Sequence, residues 1–183
     1  MYNEQKLIKA CIRQERSAQR QLYERFASKL FATALRYMKN RSDAEDVLQD
    51  SFIKIYQKIN SFRSDCPIEA WLRKIVVNTA LKHLQSQPNY MQHTDSQLIC
   101  DEVELDEFTL SNFEFKQLME IVQSLPDGCR TIFNLHAIEG YQHNEIAAML
   151  SVAEGTSKSQ YSRARNLLQA KLKAMGISLK AMK

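Results

Sequence analysis

Between Ser42 and Ile59 the sequence SDAEDVLQDSFIKIYQKI repeats its apolar residues at three- and four-residue steps. That is the period of an α-helix and is incompatible with the two-residue alternation of a strand. Ala44, Val47, Leu48, Ser51, Ile55 and Ile59 share one side of the predicted helix and can pack against other helices. Asp43, Asp46 and Asp50 share the far side. Ser42 is the expected N-cap, with Glu45 three residues on reaching back to complete a capping box, and the early carboxylates suit the positive end of the helix dipole. An acidic stripe on a helix is more often a solvated face than a site, so its meaning depends on what surrounds it.

The rest of the chain agrees with helix. Four glycines and three prolines among 183 residues leave little turn punctuation for a many-stranded fold, so the expected class is all-α. The apolar share of 44% suffices for the cores of one domain or two small ones. A formal charge of +4 does not by itself imply nucleic acid. Cys11, Cys66, Cys100 and Cys129 stand far apart without a CxxC pair, which gives no support to a zinc finger or redox motif and suits reduced thiols. His83, His93, His136 and His143 have no ligand spacing, and no glycine-rich loop or nucleophile motif occurs. No catalytic group, metal or cofactor is therefore expected. With no run of signal-peptide or bilayer-spanning length, the expected location is the cytoplasm, without membrane insertion.

In chain order, Asn3 to Arg13 and Ser17 to Met38 read as helices, the second stacking Leu22, Phe26, Leu30, Ala34 and Met38 at successive turns. After the Ser42 helix come Asn60, Ser61, Phe62 and Arg63, then a helix from Ile68 to Leu84 with Pro67 suited to its first turn. Ile68, Leu72, Ile75, Val76 and Thr79 form its inward stripe. Trp71, Lys74, Asn78 and Lys82 form another, combining an aromatic, two cations and an amide; it suits stacking, phosphate contact and base-edge hydrogen bonding, or is simply a core aromatic beside a solvated face. These four helices make a predicted domain over residues 1–85. Periodicity fades over 86–111, where acidic residues cluster without Lys or Arg from Asp95 to Glu107, as in a flexible linker. A second domain over 112–183 opens near an S-x-x-E pattern at Ser111 and Glu114. It continues through a helix closed by Gly140, a short helix from Asn144 to Leu150, a turn from Ser151 to Gly155 and a last helix from Thr156 to Lys173. Short helix, tight turn and long helix is a helix-turn-helix pattern. On the last helix Thr156, Lys158, Ser159, Ser162, Arg163 and Asn166 fall opposite Tyr161, Ala164, Leu168 and Leu172.

In order and spacing, SDAEDVLQDSFIKIYQKI, SFRSDCPIEAWLRKIVVNTALKHL and LPDGCRTIFNLHAIEGYQHNEIAAMLSVAEGTSKSQYSRARNLLQAKL resemble the extracytoplasmic-function group of sigma factors, promoter-recognition subunits of bacterial RNA polymerase. The resemblance implies docking of Asp43, Asp46, Gln49 and Asp50 on the core polymerase, through its beta and beta-prime subunits. It implies that Asn60, Ser61, Phe62 and Arg63 form a pocket for a base flipped from the minus-ten element, with Trp71, Lys74 and Asn78 contacting the same strand. It also implies minus-thirty-five readout by Thr156, Lys158, Ser159, Gln160, Ser162 and Arg163, and an anti-sigma factor as a further partner. Three positions depart from the pattern: Gln142 where a better N-cap is usual, Ser157 where a small apolar residue usually packs, and Gln160 where Arg is common. Two other readings stay open: a helix-turn-helix regulator acting without polymerase, and a decoy that titrates an anti-sigma factor. The regulator leaves the Ser42 helix, the Asn60 loop and the Trp71 stripe unexplained.

Overall fold

A computed structural model describes residues 4–87 and 119–175. Residues 4–86 belong to one compact unit and 119–175 to another. Ordered elements among the described residues are all helical. Of the expected linker only Ser86 and Gln87 are described; the acidic run and the Ser111 and Glu114 capping pattern lie outside the described residues.

The first unit consists of α1 (Glu4–Ile12), α2 (Arg16–Tyr37), α3 (Arg41–Lys58), a short 3-10 turn at Ile59–Ser61, and α4 (Ile68–Gln85). Its core is built from the stripes that the periodicity predicts. Leu22, Phe26, Leu30 and Ala34 of α2 meet Ala44, Val47, Leu48 and Ile55 of α3 and Leu72, Val76 and Ala80 of α4, all of them buried. Leu7, Ile8 and Cys11 of α1 complete it, and burial pushes the Cys11 thiol up from its ordinary pKa. Ser51, small enough for the α3 interface, is fully buried and donates its hydroxyl to the carbonyl of Val47 at 2.6 Å, so no polar atom is stranded there.

In the first unit the caps of α3 and α4 differ from expectation. The cap of α3 is Asn40, whose extended backbone lets its Oδ1 accept from the Asp43 N–H at 2.8 Å. Ser42 falls inside the first turn, and Glu45 turns to Arg41, 2.7 Å away, instead of reaching back. Pro67 stands just before α4 as its cap, with its carbonyl accepting from the N–H groups of Ala70 and Trp71. Ile75, expected inward, is half-buried, and the interior place beside Val76 goes to Val77.

In the second unit a helical stretch over 119–123 leads through Pro126 to α5 (Asp127–Phe133), which widens into a π-helical turn at Asn134–Ile138. Gly140, at φ +82, ends that element in a conformation that suits glycine. Then follow α6 (His143–Leu150) and α7 (Glu154–Ala174). Ile121, Val122, Leu125, Cys129, Ala164 and Leu168 form the apolar core.

Among the described residues the largest fully buried side chain is not apolar: Arg130 has no solvent exposure. Its guanidinium pairs with Asp127 at 2.7 Å and donates to the carbonyls of Gln123 and Leu125 at 3.1 and 3.3 Å. One cation thereby closes the corner between the 119–123 stretch and α5. Arg130→Ala should destabilise this unit by about 3–5 kcal/mol, because it leaves a buried carboxylate and two carbonyls without that partner. Faster amide hydrogen exchange in α5 and α7, with the first unit unchanged, is the expected result.

Candidate functional site

Burial of one side of α3 leaves Asp46, Gln49 and Asp50 exposed on the other. Asp43 behaves differently. It is half-buried, accepts from the Asn40 side-chain amide at 3.1 Å and lies 3.9 Å from His83 Nε2 of α4, so it serves the helix start and the α3 to α4 junction as well as the face. The outward stripe gains a residue that sequence reasoning missed. Ile53 is 56% exposed, three residues beyond Asp50 and seven beyond Asp46. Its signal is legible in hindsight, since it is the apolar residue of α3 out of phase with the buried stripe. Beside this face a groove of about 300 Å³ runs between α2 and α3, lined by Tyr23, Ala27 and Phe31 on one wall and Leu48 and Gln49 on the other.

The loop after α3 and the start of α4 are joined by an aromatic pair. Phe62 and Trp71, both half-buried, lie 5.5 Å apart between ring centroids at a tilt of 56°. Ser61 secures the turn by donating its hydroxyl to the Lys58 carbonyl at 2.7 Å, and Ser64 leaves the loop with φ 60. Asn60 and Arg63 are exposed beside this pair. One turn along α4 from Trp71 come Lys74 and then Asn78, both exposed. Aromatic faces, cations and an amide therefore share one edge of the first unit. That set can stack an unpaired base, meet a phosphate and hydrogen-bond a base edge.

In the second unit α6 begins with the second half of a capping box: the Glu145 carboxylate accepts from the Gln142 backbone N–H at 2.7 Å. The expected weakness of Gln142 as a cap is thus offset from the other side. Ser151, left-handed at φ 56, turns the chain, and α7 starts at Glu154, two residues before the expected Thr156. Gly155 and Thr156 therefore belong to the helix. Lys158, Ser159 and Ser162 are exposed as expected; Ser159 Oγ donates to the Thr156 carbonyl at 3.1 Å, and Lys158 pairs with Glu154 at 2.6 Å. Arg163 is half-buried on the flank of that face.

Gln160 turns toward α5, where its Oε1 accepts from the Cys129 thiol at 2.9 Å, and it is half-buried. Its amide is held inside the unit, which sets it apart from the exposed members of the expected face. Burial pushes the Cys129 thiol up from its ordinary pKa, with Arg163 opposing. Arg165, left out of the sequence-derived set, is exposed three residues beyond Ser162 and extends that face. Ser157 also finds its reason: it is fully buried at the crossing of α6 and α7, and its hydroxyl meets His143 Nδ1 at 2.9 Å.

A family model, Sigma-70 region 2, matches residues 22–89, and a second, Sigma-70, region 4, matches residues 115–168, together about two thirds of the chain. The ECF RNA polymerase sigma-E factor of Haemophilus influenzae is 28% identical over 183 aligned residues, spanning 94% of this chain and 96% of that one. The chain belongs to the extracytoplasmic-function group of the sigma-70 family. The sigma-E factor of Salmonella typhi is 29% identical with 94% and 95% of the two chains covered. Among solved structures, the Bartonella quintana sigma factor RpoE in complex with the anti-sigma factor NepR is 26% identical. Its TM-score is 0.54, with 84% of this chain and 96% of that one covered. CnrH, solved with the cytosolic domain of CnrY, shares the fold at a TM-score of 0.50 and 24% identity, over 92% of this chain and 96% of its own.

In this sigma factor the α3 face, the loop and α4 all fall inside the region 2 match, and the exposed face of α7 falls inside region 4. Trp71 is the single tryptophan, so it reports on its own surroundings. Phe62→Ala should red-shift its fluorescence by exposing the ring and cost about 0.5–1.5 kcal/mol of pair energy beyond the lost burial. Unshifted emission would show that the two rings are not in contact.

Proposed function

We propose that this sigma factor binds core RNA polymerase through the outward face of α3, opens the minus-ten element with the loop and α4, and reads the minus-thirty-five element with α7. The observation that carries this reading is that α3 and α4, packed in one small unit, expose faces of opposite character. Asp46, Gln49 and Asp50 disfavour DNA and suit a basic protein surface, whereas Phe62, Trp71, Lys74 and Asn78 suit a single strand. Extruding a base costs a few kcal/mol, and a pocket by the Phe62 and Trp71 pair, rimmed by Asn60, Ser61 and Arg63, offsets that cost for the matching base. Residues 1–85 then form the docking and melting domain, 86–111 the linker and 112–183 the minus-thirty-five domain.

On α7 the readout set becomes Thr156, Lys158, Ser159, Ser162, Arg163 and Arg165, with Gln160 holding α7 to Cys129 of α5. The beta and beta-prime subunits are the proposed docking partners, and an anti-sigma factor is a further one. Catalysis belongs to the polymerase, and no cofactor enters. No helix among the described residues is long and apolar enough to cross a membrane, and the cytoplasm, where core polymerase is found, is the proposed location. A regulator that ignores polymerase has no use for the α3 face or the loop, and a pure decoy has none for Trp71, Asn78 or Lys158.

Transcription of fragmented genomic DNA from the source organism by its own core polymerase, with and without this chain, tests the reading. New transcript starts sharing two upstream elements are expected; binding to DNA or core without any dependent start would overturn it. Asp46→Lys with Asp50→Lys should abolish core binding with the helical circular dichroism unchanged, and retained affinity would remove the docking face. Lys158→Ala should weaken promoter binding and lower its log salt slope by about 1, the contribution of one phosphate contact.

A further inference from the structure

Beneath the first turn of α7 two histidines are stacked. The rings of His136, on the π-helical turn, and His143, at the start of α6, lie 4.2 Å apart and 20° from parallel. Tyr161 of α7 meets both edge-on, at 4.6 and 5.6 Å. Each ring is also anchored: His136 Nδ1 lies 2.8 Å from the Tyr141 carbonyl and so donates to it, and His143 Nδ1 meets the buried hydroxyl of Ser157. Above them, Lys158 and Glu154 form an ion pair at 2.6 Å. The charged and titratable groups acting on His143 are therefore His136 from the π-turn and Lys158 and Glu154 from α7.

The cluster sets up a competition. While His143 is neutral, Glu154 neutralises Lys158, a cation on the exposed face of α7. Once His143 is charged, Glu154 has a second cation to face, and its hold on Lys158 is shared. Phosphates approaching that face favour both the charged imidazole and the release of Lys158. We propose that His143 and Glu154 are affinity-setting residues of the minus-thirty-five interface, and that DNA binding there takes up a proton on His143. This rests on α7 being the recognition helix.

The sign follows from linkage. Burial of the ring first, then His136 and Lys158, hold His143 below the ordinary histidine value of 6.5, with Glu154 opposing. Free, the ring stays neutral down through that value. DNA phosphates raise its pKa, so in the window between the free and bound values the complex holds the extra proton, and affinity rises as pH falls. Above both values the ring is neutral in either state and the effect is absent.

The test uses the full chain and a duplex carrying the upstream element common to the mapped transcript starts, at fixed salt between pH 5.5 and 8. These pH limits bracket the histidine range at about 6.5. Wild-type affinity should rise toward acid, by up to about tenfold per pH unit, the limit for one proton. His143→Gln should flatten that rise, and Glu154→Gln should bind more tightly than wild type already at pH 8. A His143→Gln profile that follows the wild type overturns the proton linkage, and a Glu154→Gln variant no tighter at pH 8 overturns the hold of Glu154 on Lys158 as an affinity-setting contact. Absence of wild-type binding at every pH overturns instead the assignment of α7 as the recognition helix.

Discussion

Burial of one face of α3 against α2 and α4 decides most of what the first unit presents to its surroundings. Val47, Leu48, Phe52 and Ile55 each contribute on the order of 1.5–3 kcal/mol by leaving water. Rotating the helix by one position would trade them for Asp46 and Asp50, and an unpaired buried carboxylate costs several kcal/mol. The outward placement of the acidic stripe is thus enforced by the core rather than by any contact of its own. The same logic sets α4, where Leu72, Val76 and Ala80 fill the interior and leave Trp71 at the boundary, half-buried against Phe62. A ring so placed is held in position yet keeps area available for stacking.

Among the described residues the second unit has a smaller apolar core, and polar groups are buried beside it. Arg130 joins Asp127 and two carbonyls at one corner, and Ser157 with His143 joins the two helices of the helix-turn-helix at another. Such networks specify geometry because each member left unpaired in a low-dielectric interior is costly. At the crossing of α6 and α7 this chain uses a hydroxyl and an imidazole where a methyl group would pack. A titratable group consequently sits beside the exposed face of α7.

Helix phase was legible in the sequence because it follows from periodicity alone, and all six predicted inward residues from Ala44 to Ile59 are buried. Helix starts were less so: Asn40 and Ser42 are both good caps, and only the backbone conformation decides between them. The inward turn of Gln160 is hidden for a related reason. It lies on the border of the α7 polar face, and whether a border residue turns inward depends on a partner from another element, here Cys129 on α5. Arg130 could not be recognised as core, since its carbonyl partners come from a turn whose path the sequence does not reveal. Nor could the meeting of His136 and His143, which share no helix and stack only because Gly140 turns the chain between them.

In the proposed function two faces of one unit divide the work, α3 for polymerase and α4 with its loop for the opened strand. Hydroxyl-radical footprinting of the free chain, its complex with core polymerase, and the open promoter complex tests that division directly, because Ile53 and Trp71 are both exposed enough to be oxidised. With that division, Ile53 becomes protected when core is added, with no further change on DNA, and Trp71 becomes protected only in the open promoter complex. Protection of Trp71 by core alone, or oxidation of Ile53 unaffected by core, would contradict it.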